Sequence, residues 1–111
     1  MPIRFEDFEK VEIRVGTVRE AIAAEGLRRP AYLLRVDFGA ELGVLRSSAQ
    51  LTSNYTPEDL LGRQVAAVVN FPPRQIGKHM SECLVLGFPD DDGEPVLIGP
   101  ERPVPDGGRL W

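Results

Sequence analysis

Apolar and polar residues alternate with a period of two along much of this chain, and that pattern predicts a fold built mainly from strands. Phe5, Phe8 and Val11 first recur at helical spacing, giving one apolar-faced turn; Val11, Ile13 and Val15 then alternate, so a first strand is expected from Val11. Gly16 interrupts it, and a glycine inside a strand points to a bulge or bend of the kind that coils a strand into a barrel. Tyr32, Leu34, Val36 and Phe38 alternate with Leu33, Arg35 and Asp37, predicting a second strand with one apolar face, closed by Gly39. Gly43 to Leu51 reads as a third strand, with Leu45, Ser47, Ala49 and Leu51 on one face and Val44, Arg46, Ser48 and Gln50 on the other. Neither face is cleanly apolar, so this strand either lies at a sheet edge or presents polar groups to a ligand. The adjacent serines and the glutamine favour the ligand.

Thr56-Pro57-Glu58-Asp59-Leu60-Leu61-Gly62 carries the signals of a short helix: Thr56 as cap, Pro57 at the first position, Asp59 near the capping-box site and Gly62 as terminator. Its expected task is to set Leu60 and Leu61 against one barrel end. Val65 to Asn70 and Cys83 to Phe88 are apolar enough for two more strands, with a loop between them. Asp90 to Gly93 makes a turn before a short strand at Val96 to Ile98; its acidic run lacks the ligand spacing of a calcium loop. The tail from Pro100 has three prolines and cannot be helical, yet finishes with Leu110 and Trp111, so it is expected to pack across the barrel or against a second subunit. Three strands, a short helix and two strands in that order describe an OB-fold, a five-stranded Greek-key barrel with its helix between strands three and four. The expectation is a single all-β domain over residues 1–111, its barrel at about 11–88 with extensions at both ends. In this fold ligands meet strands two and three and the first and fourth connecting loops.

Charge adds a local contrast. The chain has a net charge of −4, but residues 26–80 hold seven basic groups against four acidic ones, while both ends are acidic. That middle surplus can form a basic patch or be scattered solvated charge. Eleven of the thirteen basic residues are arginines, whose planar fork suits phosphate and carboxylate. No apolar run is long enough for a membrane helix and Met1 to Lys10 has no signal-peptide pattern, so a cytoplasmic protein without membrane insertion is expected.

Catalytic apparatus is not visible. Cys83 has no second cysteine for a disulfide or a zinc pair and reads as a small core residue; His79 is the lone imidazole, without a ligand set around it. There is no GxSxG elbow, no GxxxxGK[ST] loop and no GxGxxG loop. Neither a metal nor a cofactor is expected, and the chain reads as a binding protein rather than an enzyme. The segment from Asn70 to Glu82 is the best candidate for the working surface. Pro72 and Pro73 stiffen it and Gly77 bends it; Arg74 and Lys78 offer charge, Asn70 and Gln75 amides, Ser81 a hydroxyl, and Phe71, Ile76 and Met80 apolar contact. That mixture suits RNA or an extended peptide, with Arg46, Ser47, Ser48 and Gln50 on the neighbouring strand completing the site. The plain alternative is a surface loop whose Phe71 and Ile76 cover the barrel mouth.

Arg14-Val15-Gly16-Thr17-Val18, Val36-Asp37-Phe38-Gly39, Leu60 to Val65 and Val69 to Arg74 resemble the tRNA-binding domain family, a domain appended to several aminoacyl-tRNA synthetases. Ser47 to Thr52, Asn70 to Arg74 and Ser81-Glu82 look like its stand-alone CsaA branch, and the resemblance runs nearly from Phe5 to Gly107. It implies an OB barrel, a homodimer built with both chain ends, and an export-related chaperone that binds unfolded preproteins and the SecA translocation motor. It also implies that Asn70, Arg74, Lys78 and Ser81 lie where the wider family presents its tRNA-contacting loop. The sequence departs from the wider family at Ser47-Ser48, where Ser-Gly is frequent, and at Glu82, whose carboxylate would repel phosphate. The alternative function, a tRNA-binding module, is therefore weighed against a peptide groove.

Overall fold

A computed structural model describes all residues, Met1–Trp111. After helix α1 (Phe5–Glu9) come β1 (Ile13–Ala23), β2 (Tyr32–Asp37), β3 (Val44–Ala49), helix α2 (Pro57–Leu60) and β4 (Gln64–Val68). Five short strands follow: β5 (Arg74–Ile76), β6 (His79–Ser81), β7 (Leu84–Val85), β8 (Gly87–Pro89) and β9 (Pro95–Leu97). An antiparallel sheet in the order β3-β2-β1-β4-β7 curls until its ends almost meet, and the Glu82 amide donates to the Arg46 carbonyl at 2.7 Å across the seam. This is the expected OB barrel, with its helix between the third and fourth strands.

The long β1 makes the closure possible by serving two partners. Its first half, from Ile13 to Thr17, pairs with β4; its second, from Thr17 to Ala23, pairs with β2. The register slips between Val18 and Glu20, so the irregularity sits at Arg19 and not at Gly16. Gly16 has a different job. A Cβ built there would lie 2.7 Å from Val36 Cγ1 and 2.8 Å from Phe38 Cδ1, so the missing side chain lets β1 and β2 cross closely. Val18, Leu34, Val36, Phe38, Leu60 and Val65 fill the barrel, each less than 2% exposed.

Helix α2 forms as its local sequence demands. The Asp59 amide donates to Thr56 Oγ1 at 3.2 Å, and Asp59 Oδ2 accepts from the Thr56 amide at 2.9 Å, a reciprocal cap. One of the two leucines plugs the barrel. Leu60 is fully buried, worth roughly 1.5–3 kcal/mol, whereas Leu61 stays half exposed.

Several boundaries differ from the pattern. The first strand begins at Ile13 because Val11 closes the turn after α1, its amide donating to the Phe8 carbonyl. The strand expected at Cys83 to Phe88 is divided: β7 pairs with β4, and β8 turns away to pair with β9. The tail lies along its own barrel. The Val15 amide donates to Gly108, and the Gly107 and Leu110 amides donate to Val15 and Ile13, so residues 107–110 occupy the edge of β1 opposite β4. Trp111 remains fully exposed. No helix is long and apolar enough to cross a membrane.

Candidate functional site

The candidate site is built on the outer face of β1, β2 and β3. Because Leu34 and Ser47 point inward, their neighbours Leu33, Arg35, Arg46 and Ser48 point outward, and the pairing aligns them in rows. One row runs Glu20, Arg35, Arg46, Glu82. Arg35 Nε lies 3.4 Å from Glu20 Oε1, and Glu82 Oε1 accepts from Arg46 Nε at 3.0 Å and from the Arg46 amide at 2.9 Å. Two arginines stand side by side between two carboxylates, and the row is neutral as a whole. Arg46 holds the Glu82 carboxyl below its ordinary range, and Glu82 in turn raises the guanidinium pKa of Arg46. The next row, Ile22, Leu33, Ser48, is uncharged, and its Ser48 amide donates to Ser81 Oγ at 3.1 Å.

The segment between β4 and β7 is not an irregular loop but a hairpin, β5 and β6, turning at Gly77 and Lys78. Gly77 has φ +61°, a left-handed conformation that favours glycine, and a Cβ there would come 2.6 Å from Leu27 Cδ2, which places the hairpin tip against the β1–β2 loop. The first and fourth connections thereby meet. Two cavities open beside the hairpin and share Ser48 and Ile76. One, of about 420 Å³, is walled by Phe71, Pro72, Arg74 and Leu84; the other, of about 440 Å³, by Leu27, Arg28, Arg29 and Gln50. A third of about 190 Å³ lies among Ile22, Leu33, Arg35, Arg46, Lys78, His79 and Met80, where His79 Nε2 is enclosed without a hydrogen-bond partner.

The residues singled out from the sequence divide into three groups. Ser48, Gln50, Phe71, Arg74, Ile76 and Glu82 line the two adjacent cavities, while Arg46, Lys78 and Met80 line the third. Others have their polar atoms committed to the fold. Asn70 Oδ1 accepts from the Glu12 amide at 3.0 Å and its Nδ2 donates to the Lys10 carbonyl at 2.8 Å, so Asn70 pins the N-terminal segment. Ser81 spends its hydroxyl on the Ser48 amide and the Cys83 carbonyl, and the Gln75 amide donates to the Gly77 carbonyl at 3.1 Å. Ser47 turns into the core, 2% exposed, beside the Cys83 thiol, which burial pushes up to about 12.

Leu27, Arg28, Arg29 and Arg35 are lining residues that the sequence reading left out. The signal was present: an arginine pair lies in the first connection, one of the two loops that carry ligands in this fold. Arg28, Arg29, Arg74 and Lys78 take part in none of the chain's ion pairs. The site thus has a neutral floor, apolar walls and free cations on its rims.

Known proteins place this arrangement. Residues 13–109 match the model of the tRNA binding domain family. The crystal structure of the chaperone CsaA from Bacillus anthracis str. Ames is 45% identical, covers all of both chains and superposes with a TM-score of 0.93. That of the CsaA chaperone protein from Picrophilus torridus is 40% identical over 99% of this chain and all of that one, with a TM-score of 0.91. The methionine–tRNA ligase of Porphyromonas gingivalis is 37% identical over 108 residues, 97% of this chain but 15% of the ligase. This chain spans about a sixth of the curated ligases it matches, and the shared part is a tRNA-binding domain rather than a catalytic family. Its strand order, barrel closure and full-length similarity agree, and the chain belongs to the tRNA binding domain family, with the build of the CsaA chaperones.

Proposed function

We propose that this chain is a chaperone of the CsaA kind, a binding protein without catalytic activity that holds extended, unfolded stretches of preproteins in the cytoplasm before export. The carrying observation is the pair of adjacent cavities beside the β5–β6 hairpin that share Ser48 and Ile76, apolar at Phe71, Pro72, Ile76 and Leu84. An extended chain offers alternate side chains to such walls while its backbone stays free to bond the groove edges. Ser48, Gln50 and Arg74 supply the polar contacts. Delivery to the SecA motor belongs to the same reading.

The working form is a homodimer. Support comes from an apolar hollow of about 500 Å³ formed by Ile13, Val15, Ile98, Val104, Leu110 and Trp111, in which the exposed Leu110 and Trp111 would be covered by a second copy. Titration of a fluorescent unfolded polypeptide tests the groove. Ile76→Asp is expected to abolish binding while the far-UV spectrum stays native; full binding by that variant would remove the site.

A second reading, tRNA binding, is favoured by one observation: the four unpaired cations Arg28, Arg29, Arg74 and Lys78 stand on the two loops that meet. Phe71, 53% exposed, is available to stack on a base. Four phosphate contacts give a slope of log affinity against log salt near −3, at about 0.7 per contact on a single strand. No tRNA binding at low salt would eliminate this reading.

A further inference from the structure

The two ends of the groove carry the same sign of charge, and that restricts what can lie between them. Arg28 and Arg29 line one of the two adjacent cavities and Arg74 lines the other. Glu82, the one carboxylate lining the groove, gives Oε1 to the Arg46 amide and guanidinium. Glu25 lies on the same loop as the arginine pair but does not line the groove. Nothing along the walls therefore answers Arg28, Arg29 or Arg74, in a chain that is acidic as a whole. The apolar stretch between the ends, from Phe71 and Leu84 past Ile76 to Leu27, accepts side chains of many shapes.

We infer that the groove selects extended polypeptide segments in which a short apolar stretch is flanked by aspartate or glutamate, and disfavours the same stretch flanked by lysine or arginine. The inference rests on the polypeptide reading above and names its substrate class. The apolar part supplies sequence-tolerant affinity, since burial of apolar area is non-directional. The rims supply the discrimination: two or three exposed ion pairs together make a difference of roughly twofold to a hundredfold. Because the screening length is about 10 Å at 0.1 M salt, the preference should shrink as salt rises while the apolar part persists.

Three labelled peptides sharing one apolar centre, flanked by Asp/Glu, Ser/Gly or Lys, would be titrated into the full chain by fluorescence anisotropy at two salt concentrations. The acidic peptide is expected to bind tightest and the lysine peptide weakest, with the spread narrowing at high salt. In Arg28→Ala/Arg29→Ala the three affinities should converge, whereas Arg102→Ala, on an exposed pair with Glu101 away from the groove, should keep the ranking. Equal binding of the three peptides, or preference for lysine, would overturn the charge rule and leave the polypeptide reading standing. Binding of none would overturn the polypeptide reading and the rule with it.

Discussion

Gly16→Ala adds a single methyl group at the place where β1 passes the end of β2. The new Cβ would sit 2.7 Å from Val36 Cγ1 and 2.8 and 2.9 Å from Phe38 Cδ1 and Cε1, about 1 Å inside ordinary contact distance. Val36 and Phe38 are 0% and 1% exposed, so neither ring nor methyl can swing into solvent, and relief requires β1 to lift away from β2. Overpacking of this kind costs about 1–3 kcal/mol, and the lower entropy of the unfolded alanine chain returns about 0.4–1, leaving a net loss of roughly 1–2 kcal/mol. Urea unfolding would read this as a lower midpoint at unchanged slope, and thermal unfolding as a fall of about 4–10 °C. Gly108→Ala is the internal control, because its nearest neighbours lie 3.6 and 3.7 Å from the added carbon; it should be neutral or slightly stabilising. Val36→Ala combined with Gly16→Ala should cost less than the two separately, since one removes the atom the other strikes. A Gly16→Ala protein as stable as the parent, or strictly additive with Val36→Ala, would refute the close-crossing account.

Glu82→Gln keeps an acceptor for Arg46 but removes the balancing charge; the salt slope of RNA binding should steepen by about 0.7, and an unchanged slope would mean Arg46 does not face the ligand. Glu82, Asp59 and Asp90 all have lowered pKa values, by hydrogen bonds from Arg46, Thr56 and Asn54 respectively. Their stabilising effect is complete above the unfolded carboxylate values near 4 and is lost as pH falls through the lower folded ones. Urea midpoints should thus be insensitive to these groups between pH 7 and 5 and drop below about 4; a fall already at pH 6 would point to other groups. The Cys83 thiol, buried and pushed up to about 12, should resist a thiol reagent at pH 8 until the chain unfolds; rapid labelling of the native protein would contradict its core position. Asn70→Ala removes both bonds to the Lys10–Glu12 stretch, so amide exchange over residues 5–12 should quicken by roughly an order of magnitude, about 1 kcal/mol of local stability, and unchanged exchange would show that the segment is held elsewhere.

Local chemistry was legible in the sequence because it depends on near neighbours. The alternation at Tyr32 to Phe38 determined which side chains enter the barrel, and Thr56, Pro57 and Asp59 determined a capped turn, since the cap closes within four residues. The element order sufficed for the OB-fold, and the 70–82 segment and its neighbouring strand were recognisable as unusual. What each polar group does was not legible. Asn70, Ser81 and Glu82 look alike as ligand-facing groups, yet Asn70 bonds partners some sixty residues away and Glu82 takes one thirty-six away. The split of the last apolar run into β7 and β8, and the placing of Leu27 to Arg29 against the hairpin tip, likewise depend on pairings between distant segments. A side chain's hydrogen-bonding capacity is decided by whatever the closed barrel brings within 3 Å of it, and only the tertiary structure fixes that. The sequence by itself determined that there is a barrel with a polar, arginine-bearing outer strand; closure of the barrel decided that Arg46 is neutralised and that Arg28, Arg29, Arg74 and Lys78 remain free to meet a ligand.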